Sequence, residues 1–245
     1  RVGDRLKCHL CGYERVSPAQ CDTCASRQLR YAGTGTQRVE LELKALLPGV
    51  AVLRMDADTT AGKDGHRRIL EDFSTGQYPI LLGTQMVTKG HHFPGVELVG
   101  VVSAEEGLNF PDFRSAERTF QQLTQVAGRS GRGGPLGGVI IQSYCPDHPV
   151  FCYLRSHDYD AFMTEELEVR RTLNYPPFAR IVMASCSAAS AELLNAFMEE
   201  WAAASRQLLA ERRIVVLGPT APLIPRVKNR YREQMLLKGP IAQAD

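Results

Sequence analysis

Short apolar runs alternate with helix-period segments through the first part of this chain. The runs predict strands near residues 29–32, 50–54, 80–83, 98–103 and 139–143. Apolar residues at spacings of three and four between these runs predict helices over 37–47, 66–73 and 112–127. Strands that alternate with helices are typical of a mostly parallel sheet, so we expect an α/β lobe over 29–157.

The pattern changes after Tyr144, where the regular alternation ends. An acidic helical stretch near 159–171 is followed by the break Tyr175-Pro176-Pro177. The remaining periodicity predicts a strand at 181–185, a long helix at 191–209 and two further strands. We therefore expect a smaller α+β domain over 158–245, and a separate Cys-rich segment over 1–28.

Composition and charge exclude several classes of protein. The 245 residues are 44% hydrophobic and 23% charged, enough to build a core in one large or two modest domains. The sequence shows no apolar run of membrane-spanning length and no signal peptide, which predicts a cytoplasmic protein. The net charge of +2 is too small to identify a nucleic-acid partner by itself. Because residue 1 is Arg and not Met, we expect a piece of a longer protein.

Four of the seven cysteines form two CxxC pairs near the start, Cys8 with Cys11 and Cys21 with Cys24. Each pair places two thiolates on one side of a tight loop, at a spacing that suits two corners of a tetrahedral zinc site. Two disulfides and a thioredoxin-like redox motif are the alternatives, and the doublet without a secretory signal favours zinc. The other three are interpreted as small buried apolar side chains: Cys145, Cys152 and Cys186.

The sequence contains no phosphate-binding GxxxxGK[ST] motif, so these residues alone are not expected to hydrolyse ATP. It does contain the stretch 125–132, Gln-Val-Ala-Gly-Arg-Ser-Gly-Arg, directly after the most regular helix. Two guanidinium groups three residues apart, Arg129 and Arg132, can both point toward a compact anion such as the γ-phosphate held by another domain. A flexible Gly-rich loop with solvated arginines remains the alternative.

Two further loops and a basic run are candidates for binding. Residues 83–94 begin where an apolar strand ends, the place where open α/β sheets carry ligand loops, and include Lys89. Residues 33–37 join a strand to a helix N-terminus, which can hold a phosphate. Between Arg212 and Arg232 the chain has six basic residues and no acidic one. That run predicts either a solvated hairpin or a nucleic-acid contact.

In this order, the motifs resemble those of superfamily 2 helicases, and most closely the primosomal replication-restart helicases, over essentially the whole chain. Residues 83–93 resemble motif V in the form of that family, 125–132 match motif VI and 33–37 are similar to motif IV. The stretch Pro111-Asp112-Phe113-Arg114, with Glu117-Arg118, is also similar to the family, and the Cys-rich start resembles the second half of its zinc insertion.

This resemblance implies a RecA-like second helicase lobe of an ATP-dependent 3′-to-5′ DNA helicase, with the Cys-rich segment before it and the α+β domain after it. Such a protein recognises stalled replication forks and restarts replication by primosome assembly. The implied cofactors are zinc and ATP with Mg. The implied partners are forked and single-stranded DNA, primosome proteins and single-stranded DNA-binding protein. No membrane association is expected, and the protein is expected to be a monomer.

The resemblance also assigns roles to residues. By motif VI, Arg129 and Arg132 meet the γ-phosphate, and Gln125 helps to couple the two lobes. The set assigned to nucleotide or DNA binding comes from motifs IV, V and VI: Thr36, Gly83, Thr84, Gln85, Lys89, Gly90 and Gly128. The basic tail assigned to DNA binding consists of Arg226, Lys228, Arg230 and Arg232.

Two departures from the family limit these assignments. The 3′-end-binding domain and the lobe with the Walker motifs are expected upstream, so the activity belongs to a longer chain. The family carries eight cysteines in two zinc clusters. This implies that Cys8 and Cys11 share one ion with an upstream pair, and that Cys21 and Cys24 share the other ion with a second upstream pair. One zinc on these four alone would be a non-native pairing. A non-hydrolysing scaffold that holds DNA and primosome proteins is the alternative function.

Overall fold

The computed structural model describes residues 5–7, 14–27, 35–56, 58–60, 64–84, 87, 93, 95–128 and 138–241. The chain divides into two compact units, one of residues 31–164 and one of residues 1–30 together with 165–245. Near the start, strand β1 (Arg5–Lys7) pairs with β2 (Glu14–Val16) in a short antiparallel ladder. Within the described ranges, no helix is both long and apolar enough to cross a membrane.

Two parallel strand pairs are described in the unit of residues 31–164. In chain order, its elements are α1 (Thr36–Leu46), β3 (Val52–Met55), α2 (Gly65–Ser74), β4 (Ile80–Gly83), β5 (Leu98–Val101), α3 (Ser115–Ala127), β6 (Gly138–Ile141), α4 (Pro149–Ser156) and the start of α5 (Tyr159–Thr172). Strand β3 pairs with β4 and β5 pairs with β6, both in parallel. The predicted α/β class is therefore confirmed.

The core of this unit forms where α3, α4 and the start of α5 meet. The ring of Phe120 stacks on that of Phe162 with a centroid distance of 4.5 Å and an interplanar angle of 6°. Leu123, Val150 and Leu154 are buried in the same cluster. Full burial of side chains of this size contributes about 1.5–3 kcal/mol each, so this cluster is the main support of α3.

The second unit contains an antiparallel sheet covered by one long helix. Its elements are β7 (Arg180–Ala188), α6 (Ala191–Leu209), β8 (Val215–Thr220), β9 (Arg226–Val227) and β10 (Arg230–Gly239). The strand order is β7–β10–β8, with β9 paired to β10. Helix α6 starts where the Ser190 hydroxyl accepts the amide of Leu193 at 3.2 Å, a standard N-cap. Its buried Met198 packs against Met235 of β10.

Several details differ from the sequence predictions. Cys145 and Cys152 are exposed and Cys186 is only half-buried, so the prediction of buried cysteines is wrong for the first two. Cys152 lies on the outward face of α4, because Val150 and Leu154 occupy the inward face. Helix α4 and the two-residue strand β9 were not predicted, and the predicted strand at 29–32 lies outside the described residues.

Candidate nucleotide and nucleic-acid site

The carboxyl ends of β3 and β4 bring together two segments that are far apart in sequence. Met55 of β3 lies opposite Gly83 of β4, so Asp56 and Thr84 follow at the same edge of the parallel pair. The N-terminus of α1 reaches this edge as well, because the Thr36 hydroxyl donates to the Asp56 carboxylate at 2.6 Å. Two loops expected from sequence to bind phosphate therefore converge on one edge, as ligand loops do in α/β sheets.

Asp56 is the centre of this arrangement and is only 7% exposed. One of its carboxylate oxygens accepts the amides of Asp58 at 3.1 Å and Thr59 at 3.0 Å, and the other accepts the Thr36 hydroxyl. Burial pushes the pKa of Asp56 upward, but the hydrogen bonds from Thr36 and Thr59 and the charge of Arg54 outweigh it. The pKa lies below its ordinary value, so the carboxylate stays ionised near neutral pH.

Arg54 connects this carboxylate to the body of α1. Its Nε lies 3.3 Å from a carboxylate oxygen of Asp56 and 3.4 Å from one of Glu40. Glu40 also accepts a hydrogen bond from Lys44, one turn further along the helix, at 2.6 Å. The Arg54 side chain is 16% exposed, so these contacts are shielded from water more than a surface ion pair is.

Sequence reasoning missed Asp56, although a signal was present. The stretch Asp56-Ala57-Asp58-Thr59-Thr60 is a mostly polar run that begins two residues after the predicted strand at 50–54. Polar side chains at the carboxyl end of a parallel strand are placed where α/β proteins bind ligands.

The segment after β4 turns tightly. A Cβ atom at Gly83 would lie 2.7 Å from the carbonyl oxygen of Met55 and would overlap the side chain of Val87. The amide of Val87 donates to the carbonyl of Thr84 at 3.1 Å, and Thr84 itself is exposed. The other predicted site residues of this loop lie outside the described residues: Gln85, Lys89 and Gly90.

Helix α3 leads to the predicted arginine pair. Gln125 is exposed in its last turn, and the amide of Gly128 donates to the carbonyl of Thr124 at 3.0 Å as the helix ends. Arg129 and Arg132 lie outside the described residues. The structure thus places the end of the helix and its outward-facing Gln125 but does not test the two arginines.

The start of α3 is fixed by Asp112, from the stretch that resembles the helicase family. The Arg114 guanidinium makes a two-point contact with its carboxylate at 3.0 and 2.9 Å, and Arg118 adds a third hydrogen bond at 2.9 Å. The carboxylate also accepts the amide of Arg114 at 2.9 Å, so residues 112–114 form a turn. For this reason the helix begins at Ser115, three residues later than predicted.

Comparisons with known proteins show which families and relatives this chain is similar to. Residues 27–134 match the family "Helicase conserved C-terminal domain" and residues 171–245 match "Primosomal protein N C-terminal domain". The chain is 46% identical, over 97% of its length, to "Replication restart protein PriA" of Bacillus subtilis. It is 42% identical over 96% of its length to the protein of that name from Synechocystis, and 38% identical over 96% to that from Haemophilus influenzae.

Nearly the whole chain is therefore similar to PriA proteins. It spans 29%, 28% and 32% of the length of these three relatives. The helicase match includes Thr36, Asp56 and Thr84, so the whole carboxyl-edge site lies inside the part that is similar to helicases.

The PriA C-terminal domain match contains the predicted basic tail. Lys228 is exposed at the turn between β9 and β10, where it and Asn229 adopt positive φ angles of 47° and 60°. Arg230 donates to the carbonyl of Ser187 at 2.6 Å, and the Arg226 guanidinium lies 4.8 Å from the centre of the Tyr231 ring. Arg232 is half-buried. Two of the four cations thus also serve the fold, and their contact with DNA stays a prediction.

Two of the four cysteines of the Cys-rich segment lie within the described residues. Cys21 and Cys24 are free thiols, with the amide of Cys21 donating to the carbonyl of Ser26 at 2.8 Å. The amides of Cys24 and Thr23 lower the pKa of the Cys21 thiol by hydrogen bonding to its sulfur. A thiolate in a tight loop is the donor that zinc prefers, so these residues fit two corners of a zinc site.

Cys8 and Cys11 lie outside the described residues. Within the part of the chain that the structure describes, no group of three or more His, Cys, Asp or Glu side chains surrounds a common point. The four-cysteine site therefore stays a prediction.

The pKa of Asp112 gives a prediction for the stability of α3. The hydrogen bonds from Arg114, together with the charges of Arg114 and Arg118, hold it at about 2, against an ordinary value of 3.8. A carboxylate whose pKa is lowered by folding stabilises the folded state at pH values above its unfolded-state pKa. This stabilisation is lost as the pH falls from about 4 to 2. Because solvent screens the half-exposed arginines, we expect these contacts to contribute about 1–2 kcal/mol to the free energy of unfolding.

Asp112→Asn should therefore lower the free energy of unfolding by that amount at pH 6, with the difference shrinking toward pH 2. Urea unfolding at both pH values measures it. Asp72→Asn, at an exposed carboxylate of α2, is the matched control. An equal loss at both pH values would show that the ion pairs with Asp112 are not responsible.

Proposed function

We propose that this chain supplies the second motor lobe and the C-terminal domain of an ATP-dependent 3′-to-5′ DNA helicase. In this proposal the whole protein recognises stalled replication forks in the cytoplasm and restarts replication by assembling a primosome. The observation that carries it is the convergence of Thr36, Asp56 and Thr84 on one strand edge, within the segment that matches a helicase domain. The relatives that match most of the chain are replication restart proteins by name.

The arginine pair supplies the chemistry that this lobe contributes. Arg129 and Arg132 extend toward the γ-phosphate of ATP held with Mg by another lobe, and stabilise the charge that spreads over the transferred phosphoryl group. Gln125, exposed in the last turn of α3, helps to couple the two motor lobes. The anchoring of α3 by Asp112 and its packing through Phe120 support this assignment, because a charge delivered to a phosphate must be held in place.

The carboxyl-edge site supplies the contact with DNA. Thr84 and the residues that follow it bind the sugar-phosphate backbone of one strand, and closure of the motor lobes upon ATP binding moves this loop along the strand. The tight turn at Gly83 supports this role, since it fixes where the loop leaves β4. The exposed Lys228 at the hairpin tip adds an electrostatic contact with DNA in the C-terminal domain.

The cysteine pairs hold zinc in this proposal. The lowered pKa of Cys21 and the tight loop around it support zinc binding by Cys21 and Cys24. Zinc would fix the fold of a segment too small to form its own core, and so present it to primosome proteins and to single-stranded DNA-binding protein.

Strand separation by the full-length protein tests the proposal. The substrates are two partial duplexes that differ only in whether the single-stranded arm ends in 3′ or 5′. We expect ATP-dependent separation of the duplex with the 3′ arm and little of the other, with none when a non-hydrolysable ATP analogue replaces ATP. Tight binding to forks without ATP hydrolysis would instead establish the scaffold function.

A further inference from the structure

The hydrogen bond between Thr36 and Asp56 bears on how the first turn of α1 meets a phosphate, if the proposed motor function holds. By the resemblance to motif IV, Thr36 is a candidate to contact nucleotide or DNA. A threonine hydroxyl has one proton, and phosphate oxygens accept hydrogen bonds but do not donate them. The proton of Thr36 is donated to the buried Asp56 carboxylate at 2.6 Å. A phosphate contact through this hydroxyl would require the loss of that bond.

The surroundings of Asp56 make such a loss costly. Its other carboxylate oxygen accepts two backbone amides, from Asp58 and Thr59. Thr60 closes the same loop by donating its hydroxyl to the Asp56 carbonyl at 2.6 Å. Asp56 is therefore held in one position with its charge compensated, and a hydrogen bond to a fixed, ionised acceptor is stronger than one between neutral groups.

The start of α1 depends on this bond. Its N-cap residue is Gly35, which has no side chain to accept a first-turn amide. The contact from Thr36 to Asp56 is thus the shorter of two side-chain contacts at this helix end, the other being that of Gln37 with Asp58 at 3.4 Å, and it joins the helix to the end of β3. Strand β3 lies beside β4, so the same restraint fixes α1 relative to Thr84.

We propose that Thr36 is a positioning residue that latches the N-terminus of α1 to the end of β3 through Asp56, and that it does not itself contact phosphate. The latch keeps the first turn of α1 in position relative to the end of β4 during the motor cycle.

A double-mutant cycle in the full-length protein tests the latch. Thr36→Val removes the hydroxyl at constant shape, and Asp56→Asn removes the charged acceptor. We expect each to lower DNA-stimulated ATP turnover about 10-fold, as small displacements near a reacting centre do, with the Kd for forked DNA nearly unchanged. ATP turnover of the double variant should be no lower than that of the less active single variant, because the two substitutions remove the same interaction. Thr36→Ser should restore most of the turnover.

A direct phosphate contact predicts a different result. Thr36→Val would then weaken the binding of forked DNA, whereas Asp56→Asn would strengthen it by removing a negative charge and releasing the hydroxyl. Opposite effects of the two variants on Kd, or full turnover in Thr36→Val, would overturn the latch. Thr75→Val, which removes an exposed hydroxyl bonded to the Asp72 carbonyl, is the matched control.

The same experiment separates this inference from the proposed function. A wild-type protein without DNA-stimulated ATP hydrolysis would contradict the motor function, whereas an active wild type with a normal Thr36→Val variant would contradict the latch alone. Melting temperatures identify any variant that fails to fold. If Asp56→Asn is one of these, the comparison of Thr36→Val with Thr36→Ser still decides.

Discussion

Arg132→Ala in the full-length protein is expected to lower ATP turnover by about 10³-fold or more, the range measured for arginine residues that contact a transferred phosphoryl group. The guanidinium group stabilises charge that develops only in the transition state, so its loss should lower turnover more than nucleotide affinity. Fork binding should be nearly unchanged, because the loop that we propose binds DNA begins at Thr84, after β4, whereas Arg132 follows α3 in the sequence. DNA-stimulated release of phosphate and a separate fork-binding measurement check the two parts.

Three companion variants sharpen this result. Arg129→Ala should resemble Arg132→Ala, and Arg132→Lys should recover little, because an ammonium group cannot make the two-point contact of a guanidinium. Arg67→Ala is the control, since Arg67 is an exposed arginine of α2 with only long contacts to carboxylates, at 3.9 and 3.7 Å. DNA-stimulated hydrolysis that is unchanged in Arg132→Ala would exclude the motor assignment of this lobe.

Gly83→Ala is expected to destabilise the unit of residues 31–164 by about 1–3 kcal/mol, the usual cost of forcing an extra methyl group into packed surroundings. The new methyl would lie 2.7 Å from the carbonyl oxygen of Met55, which belongs to the neighbouring strand and cannot rotate away. Strands β3 and β4 would have to separate at their carboxyl ends. A fall of several degrees in melting temperature should follow for a unit of this size.

Gly100→Ala is the matched control for Gly83→Ala. Gly100 also lies in a short parallel strand, β5, and a Cβ atom there meets nothing within 4 Å. It should be neutral or slightly stabilising, because alanine restricts the unfolded chain more than glycine does. Equal melting temperatures for the two variants would mean that the close approach at Gly83 is not a constraint in solution.

The sequence carried enough information for most elements whose burial is periodic. Strand β4 lies where it was predicted, at 80–83, and α6 spans the predicted 191–209. Strand β4 is a continuous apolar run and α6 has 19 residues, so the pattern of each is clear in the sequence. In α3 the buried Phe120 and Leu123 lie three residues apart, as the predicted helical spacing requires, and the helix begins three residues later than predicted.

Elements fixed by single polar contacts were not predictable in the same way. Helix α4 has eight residues, too few for a clear period, although His148 and Pro149 are a cap and first residue that mark its start. The role of Asp56 depends on a partner twenty positions earlier in the chain, Thr36, and no local pattern encodes that pairing. The arginine pair was found for the opposite reason, since its spacing within a glycine-rich stretch is local.

Strand β10 determines how the second unit can lose its fold. With ten residues it is the longest of the described strands, and it shares its hydrogen bonds with β7 on one side and with β8 and β9 on the other. Detachment of β10 would break every strand pairing of that sheet at once. It would also remove Met235, the most deeply buried side chain of the sheet, from its cluster with α6. Partial opening is thus restricted to the outer strands, and this part of the protein unfolds as one cooperative block.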